Sequence, residues 1–209
     1  MTRFSLAAVA AFTVVTASLP QAQAFPPPGV PTTINPGLLS GTGSASDAIF
    51  AFADAGDISD LILTGFAGNP IFNNSVNGPG DTVALGVLNG PQQFGLNNLT
   101  SGINFLADVA DTDGNYHVFY SSNFADFSVG ALPPAAAAVI SALPSGTSVV
   151  YVGWEDLTVA GGSDWDYNDL IFAFTNLRTP SVPEPASLAL LGLGLAGLGL
   201  TRLRRRARQ

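Results

Sequence analysis

Apolar runs of four to six residues recur along the middle of the chain, at 48–52, 61–64, 83–88, 116–120, 149–152 and 170–174. Asp, Gly, Asn or Pro residues separate them, and short runs bounded this way predict β-strands. In the last run Leu170, Phe172 and Phe174 share one face, because strand side chains alternate. Residues 134–143 predict the one helix of this region: they are Ala-rich, begin at Pro134 and stop before Pro144. Residues 66–80, rich in Gly, Asn and Pro, predict a long surface loop, and Asn89, Gly90 and Pro91 a turn that closes the third run. Strands at this spacing with a single short helix predict a mainly β chain, an antiparallel β-sandwich of jelly-roll-like type.

The two ends follow other patterns. Residues 4–15 form an apolar run behind Arg3 and lead to Ala22-Gln23-Ala24. Residues 1–24 therefore predict a secretory signal peptide cleaved after Ala24, with Ala22 and Ala24 as the small residues of the cleavage site. Phe25 and the prolines at 26–28 open a stiff extended segment. At the other end, residues 186–200 form an apolar run with no polar face, and the nine residues after it carry five of the chain's seven Lys/Arg. Fifteen helical residues reach about 22 Å against a hydrocarbon core of roughly 30 Å. The run spans if Thr201 and Leu203 enter the membrane while the arginines snorkel. Flanking arginines stay on the cytoplasmic side, which places everything before residue 182 outside the cytoplasm.

The order Val182-Pro183-Glu184-Pro185, Gly/Leu-rich span and Arg-rich end resembles the PEP-CTERM sorting signal of Gram-negative envelope proteins. That resemblance, over residues 182–209, implies processing by an exosortase-type membrane protease near Pro183-Glu184-Pro185. It also implies a transient inner-membrane anchor through residues 186–200. Delivery to the outer envelope, cell surface or extracellular matrix follows, in a bacterium that makes exopolysaccharide. The chain then divides into a signal peptide (1–24), a secreted domain (25–181) and a sorting signal (182–209).

Charge changes the picture of the middle. Residues 25–181 hold 14 acidic residues against Arg178 alone, a formal net charge of −13, whereas the whole chain carries −8. No lysine occurs. Such a surface repels nucleic acid, which is excluded as a partner, and suits hard cations. The absence of cysteine rules out disulfides and thiolate metal sites. With 47% hydrophobic residues the chain is apolar enough to fold despite its acidity.

The acidity concentrates between residues 153 and 170. Glu155, Asp156, Asp164, Asp166, Asn168 and Asp169 place six oxygen-bearing side chains within fifteen residues. Asp164, Asp166 and Asn168 alternate, a spacing that can turn three side chains toward one Ca²⁺, which takes oxygen ligands. The same residues can instead cap their own backbone in a turn. The pattern is no EF-hand: the sixth position from Asp164 is Asp169 and the twelfth is Thr175. Trp154-Glu155-Asp156-Leu157 followed by Ser163 through Phe172 resembles the end of the DUF4114 family of secreted bacterial proteins, most clearly over residues 150–176. The resemblance implies a β-rich, Ca²⁺-associated extracellular domain with no established reaction. Asp111, Asp113 and Asn115 form a second acidic stretch, read as a metal-free β-turn.

Catalytic constellations are sparse. His117 is the only histidine and falls within an apolar strand pattern, so it reads as structural. A nucleophile triad would have to use it, no Gly-x-Ser-x-Gly elbow is present, and one His without Cys cannot build a zinc site. Tyr151 and Trp154 read as core, whereas Trp165, between two aspartates, reads as exposed. The chain is thus expected to be a non-enzymatic, Ca²⁺-stabilised envelope protein associated with exopolysaccharide or biofilm matrix. The first alternative is a Ca²⁺-dependent carbohydrate-binding module with Trp165 and Tyr167 as stacking platforms. The next is a glycoside hydrolase with Glu155 as its acid.

Overall fold

The computed structural model describes residues 29–180. The predicted signal peptide with Ala22 and Ala24, and the sorting signal with Val182, Pro183, Glu184 and Pro185, lie outside the described residues. Among the described residues, no helix is long and apolar enough to cross a membrane.

Each of the six apolar runs contributes to a strand. They overlap β1 (Leu39–Ala53), β2 (Ser59–Leu63), β4 (Thr82–Gln92), β7 (Val118–Ser121), β8 (Val149–Trp154) and β9 (Leu170–Thr175), with Thr64 falling just past β2 and Tyr116 and His117 just before β7. The predicted helix is α1 (Pro134–Ser141). Four strands carry no clear apolar pattern: β3 (Phe72–Asn73), β5 (Phe94–Asn98), β6 (Ile103–Leu106) and β10 (Leu177–Arg178). Gly95, Asn97 and Asn98 interrupt β5 in sequence, but it is recruited as the centre of a sheet by pairing with β2 on one side and β6 on the other.

Two expectations are corrected here. Residues 89–91 are no turn: β4 continues through them opposite β1, with Asn89 facing Thr42 and Pro91 facing Ser40. Pro91 is tolerated because β4 pairs with β1 alone and so lies at the sheet edge. Residues 66–80 are not wholly a surface loop, since Ile71 and Phe72 are buried. The Phe72 ring stacks on Phe172 at 5.8 Å, nearly parallel.

All strand pairs are antiparallel. One sheet has six strands in the order β10-β1-β9-β8-β7, with β4 also on β1; the other has four in the order β3-β2-β5-β6. The sheets share one core. Phe50, Val152, Trp154, Leu170, Phe172 and Phe174 of the first pack with Leu61, Phe72, Phe94, Leu96 and Phe105 of the second.

The six-stranded sheet is buried on its other face as well. Ile49, Ala51, Tyr151, Ile171 and Ala173 pack there with Phe119, Phe124, Phe127, Trp165 and Tyr167, flanked by Val139 and Ile140 of α1. This explains why β9 is a continuous apolar run rather than an alternating one: both faces are covered. The cover includes the β8–β9 connection itself, residues 155–169, which holds the acidic cluster.

Candidate metal centre

The β8–β9 connection leaves the sheet at Trp154 and re-enters it at Leu170, which face each other across the ladder. A short 3-10 turn at Val159–Gly161 follows, capped by the Thr158 hydroxyl and ended by Gly162 at φ 95°. From there the chain runs back over the sheet. Trp165 and Tyr167 both adopt the left-handed conformation, with φ 58° and 57°. Non-glycine residues in that region cost roughly 1–3 kcal/mol each unless the surroundings hold them.

The surroundings do hold them. Both rings lie in the core against the outer face of the sheet, Trp165 4% and Tyr167 0% exposed. The Tyr167 hydroxyl accepts from the Thr32 N–H at 3.2 Å and donates to the Tyr116 carbonyl at 3.3 Å. Trp165 packs on the His117 ring, 4.9 Å between centroids. Trp165 is therefore not exposed, and neither Trp165 nor Tyr167 can serve as a stacking platform for sugars. Turning these odd-numbered side chains inward leaves Asp164 exposed and Asp166 and Asn168 half-buried.

Against this loop lies Glu155, the first residue after β8, fully buried. Its N–H donates to the His117 carbonyl at 2.9 Å. Its carboxylate accepts from the Tyr167 N–H at 2.5 Å and from the Ser163 hydroxyl. Carboxylate oxygens of Glu155, Asp164 and Asp166 all lie within 4.8 Å of one another. Burial pushes the Glu155 carboxyl above its ordinary range; the bonds from Ser163 and Tyr167 oppose this, while the charges of Asp164 and Asp166 add to it. Asp166 is raised for the same first reason, and Asp164 adds to it. Three carboxylates held this close repel unless a proton or a cation intervenes. Their donors are all oxygens, which fits a hard ion such as Ca²⁺ and not a thiolate or histidine metal.

The six predicted ligands therefore divide. Glu155, Asp164 and Asp166 converge. Asn168 stays close but spends its amide on the Asp166 carboxylate, and its N–H bonds Asp166 Oδ1 at 3.2 Å. Asp156 and Asp169 form a neighbouring pair instead, with the Asp156 N–H donating to Asp169 Oδ2 at 2.8 Å.

The turn at 111–115 contributes no ligand to this group. Asp111 Oδ1 accepts from the N–H groups of Asp113 and Asn115, at 2.9 and 2.8 Å, and Oδ2 lies 2.9 Å from His117 Nε2. Burial works to raise the Asp111 carboxyl, but its bonds to His117, Asn115 and Asp113 outweigh it and hold the group below its ordinary value. His117 is structural, as its sequence context suggested, buried between Phe105 and Trp165. The Ser163 hydroxyl serves as a donor to Glu155. Asn98 of β5 and Asp57 of the β1–β2 connection, both close to Asp156, carried no local signal.

Comparison with known proteins gives one match: residues 181–206 fit the PEP-CTERM protein-sorting motif. No curated protein and no solved structure gives a match. A motif of this kind implies export, sorting to the cell envelope or surface, and processing by an exosortase, a membrane protease. The match does not reach residues 150–176, where the DUF4114 resemblance lies.

Proposed function

We propose that the chain is a non-enzymatic, exosortase-sorted protein of the outer envelope or extracellular matrix, whose folded domain is stabilised by Ca²⁺ at Glu155, Asp164 and Asp166. The observation that carries this reading is the convergence of those three carboxylates, one of them fully buried. Among the described residues Arg178 is the one Lys or Arg, so the described domain has little of its own with which to neutralise them. An exported domain without cysteine has no disulfide to hold it, and a bound ion clamps such a loop by electrostatic coordination instead.

Exopolysaccharide or biofilm material is the partner we assign, on the strength of the sorting motif. The likeness of residues 150–176 to secreted DUF4114 domains supports the same placement. A Ca²⁺-dependent sugar-binding module is disfavoured because its two aromatic platforms are buried. A glycosidase role for Glu155 is disfavoured because that side chain is 0% exposed and both of its oxygens are engaged.

The test is thermal unfolding of the full chain with Ca²⁺ and with chelator. An ion that binds only the folded state stabilises by about 2.7 kcal/mol at a hundredfold excess over Kd. The midpoint should rise with Ca²⁺, and Asp164→Asn should remove most of the rise. An unchanged midpoint would refute the reading.

A further inference from the structure

The pair left over from the first centre lies at a junction between the two sheets. Asp156 follows β8, Asp169 precedes β9, and both belong to the six-stranded side. Asn98, the last residue of β5 in the four-stranded sheet, donates its amide both to the Asp156 carbonyl and to Asp57 Oδ2, at 2.7 Å each. Asp57 lies on the connection between β1 and β2, where the chain passes from one sheet to the other. The Asp169 carbonyl accepts from the N–H of Asp54 on that same connection, at 2.9 Å.

The Asp156 side chain is 1% exposed, and its Oδ2 has no hydrogen-bond partner. A buried carboxylate oxygen with no donor is costly and rare. The nearest acid is Asp169, whose carboxyl contacts that of Asp156; when both are ionised neither can donate to the other. Burial raises both carboxyls; the contact with Asp169 works to lower Asp156 while the charge of Asp57 raises it, and the charges of Glu155 and Asp156 raise Asp169. Ser59 Oγ, on β2 opposite Asn98, is also buried without a partner.

We infer that Asp156 and Asp169, with Asp57 beside them, form a second divalent-cation site, separate from the Glu155 centre, that ties the two sheets together. Asp156 and Asp169 with one divalent ion are neutral, so that with Asp57 one negative charge is left, whereas a single proton on the pair leaves two. The donors are again oxygens alone, so the ion is of the Ca²⁺ or Mg²⁺ class. Asp57, half-buried, marks the side from which an ion enters. The inference extends the cation reading to a new place and does not depend on the first centre being occupied.

The experiment is a calorimetric titration of the chelator-treated full chain with CaCl₂ and, separately, MgCl₂, on wild type, Asp156→Asn and Asp164→Asn. Wild type should bind two ions and each variant one. If wild type binds one ion that Asp164→Asn removes and Asp156→Asn does not, the pair holds a proton and the inference is overturned while the first centre stands. If Asp156→Asn removes the single ion and Asp164→Asn keeps it, the inference stands and the first centre falls. No binding at all overturns both. Should Asp156→Asn fail to fold by circular dichroism, Asp57→Asn takes its place. It should weaken one of the two sites about tenfold to a hundredfold, and unchanged affinities at both would overturn the inference.

Discussion

The carbonyl oxygen of Tyr167 occupies the space where a side chain on Gly153 would begin. An ideal Cβ at Gly153 would overlap that oxygen and the ring of Phe127. The acidic loop can lie on β8 because residue 153 has no side chain, and this contact sets the height of Tyr167 and hence of its N–H on Glu155. Gly153→Ala should therefore lift the loop. A backbone oxygen cannot rotate away as a flexible side chain can, so a loss of about 3 kcal/mol or more is expected. Urea unfolding of the variant and wild type measures it, and a loss below 1 kcal/mol, as a rough limit, would contradict the packing described.

Trp165→Ala should unfold the domain rather than spare it. The ring is buried against His117 and Tyr167, and truncating a buried Trp costs about 3–5 kcal/mol. A sugar platform would behave differently, losing glycan retention while the melting temperature held. Thermal denaturation and a glycan pull-down on the same variant separate the two outcomes.

His117 supplies a pH dependence with a definite sign. Burial lowers its pKa from the ordinary 6.5, against the opposing pull of Asp111. Its Nδ1 is buried without a partner, so the neutral ring, donating from Nε2 to Asp111, is the form the fold accepts. A folded-state pKa below the unfolded one contributes stability that is present above about pH 6.5 and is lost as pH falls through the folded midpoint. The chain has one histidine, so its ring resonance titrates alone in an NMR series. The midpoint should fall below 6.5, and a midpoint at or above that value would refute the assignment.

Asn98→Ala should weaken the junction between the sheets. It removes donors from Asp57 and from the Asp156 carbonyl, and its own Oδ1 holds the Ser101 N–H at 2.8 Å. Leaving a buried acceptor unpaired costs about 1–3 kcal/mol. Chemical denaturation should show a loss of at least that size, and hydrogen exchange at β5 and at residues 156–169 should quicken together. Faster exchange at β5 alone would mean that Asn98 does not link the sheets.

Much of this protein was legible from its residues. Short apolar runs between turn formers located six strands, because alternation and burial leave a local trace at every strand position. The Val182–Pro185 motif with its apolar and basic sequel spoke for export, since a sorting signal is read as a linear segment. The acidic stretch from Glu155 to Asp169 was visible as the place of interest, and His117 as a structural residue.

Tertiary structure decided the rest. The flanking aspartates make Trp165 read as exposed, and the sugar-binding alternative takes Trp165 and Tyr167 as platforms. Their left-handed backbone and the bare surface of Gly153 turn them into the core, and no neighbour in sequence encodes that. Six clustered oxygen side chains looked like one ligand set, yet direction separates them: Glu155 meets Asp164 and Asp166, while Asp156 and Asp169 pair with each other beside Asn98. Composition along a chain reveals how much charge a segment carries. Which charges share a space depends on backbone angles and on residues far away in sequence, as with Asn98 against Asp57 and Asp156, 41 and 58 residues off, and only the folded chain brings those together.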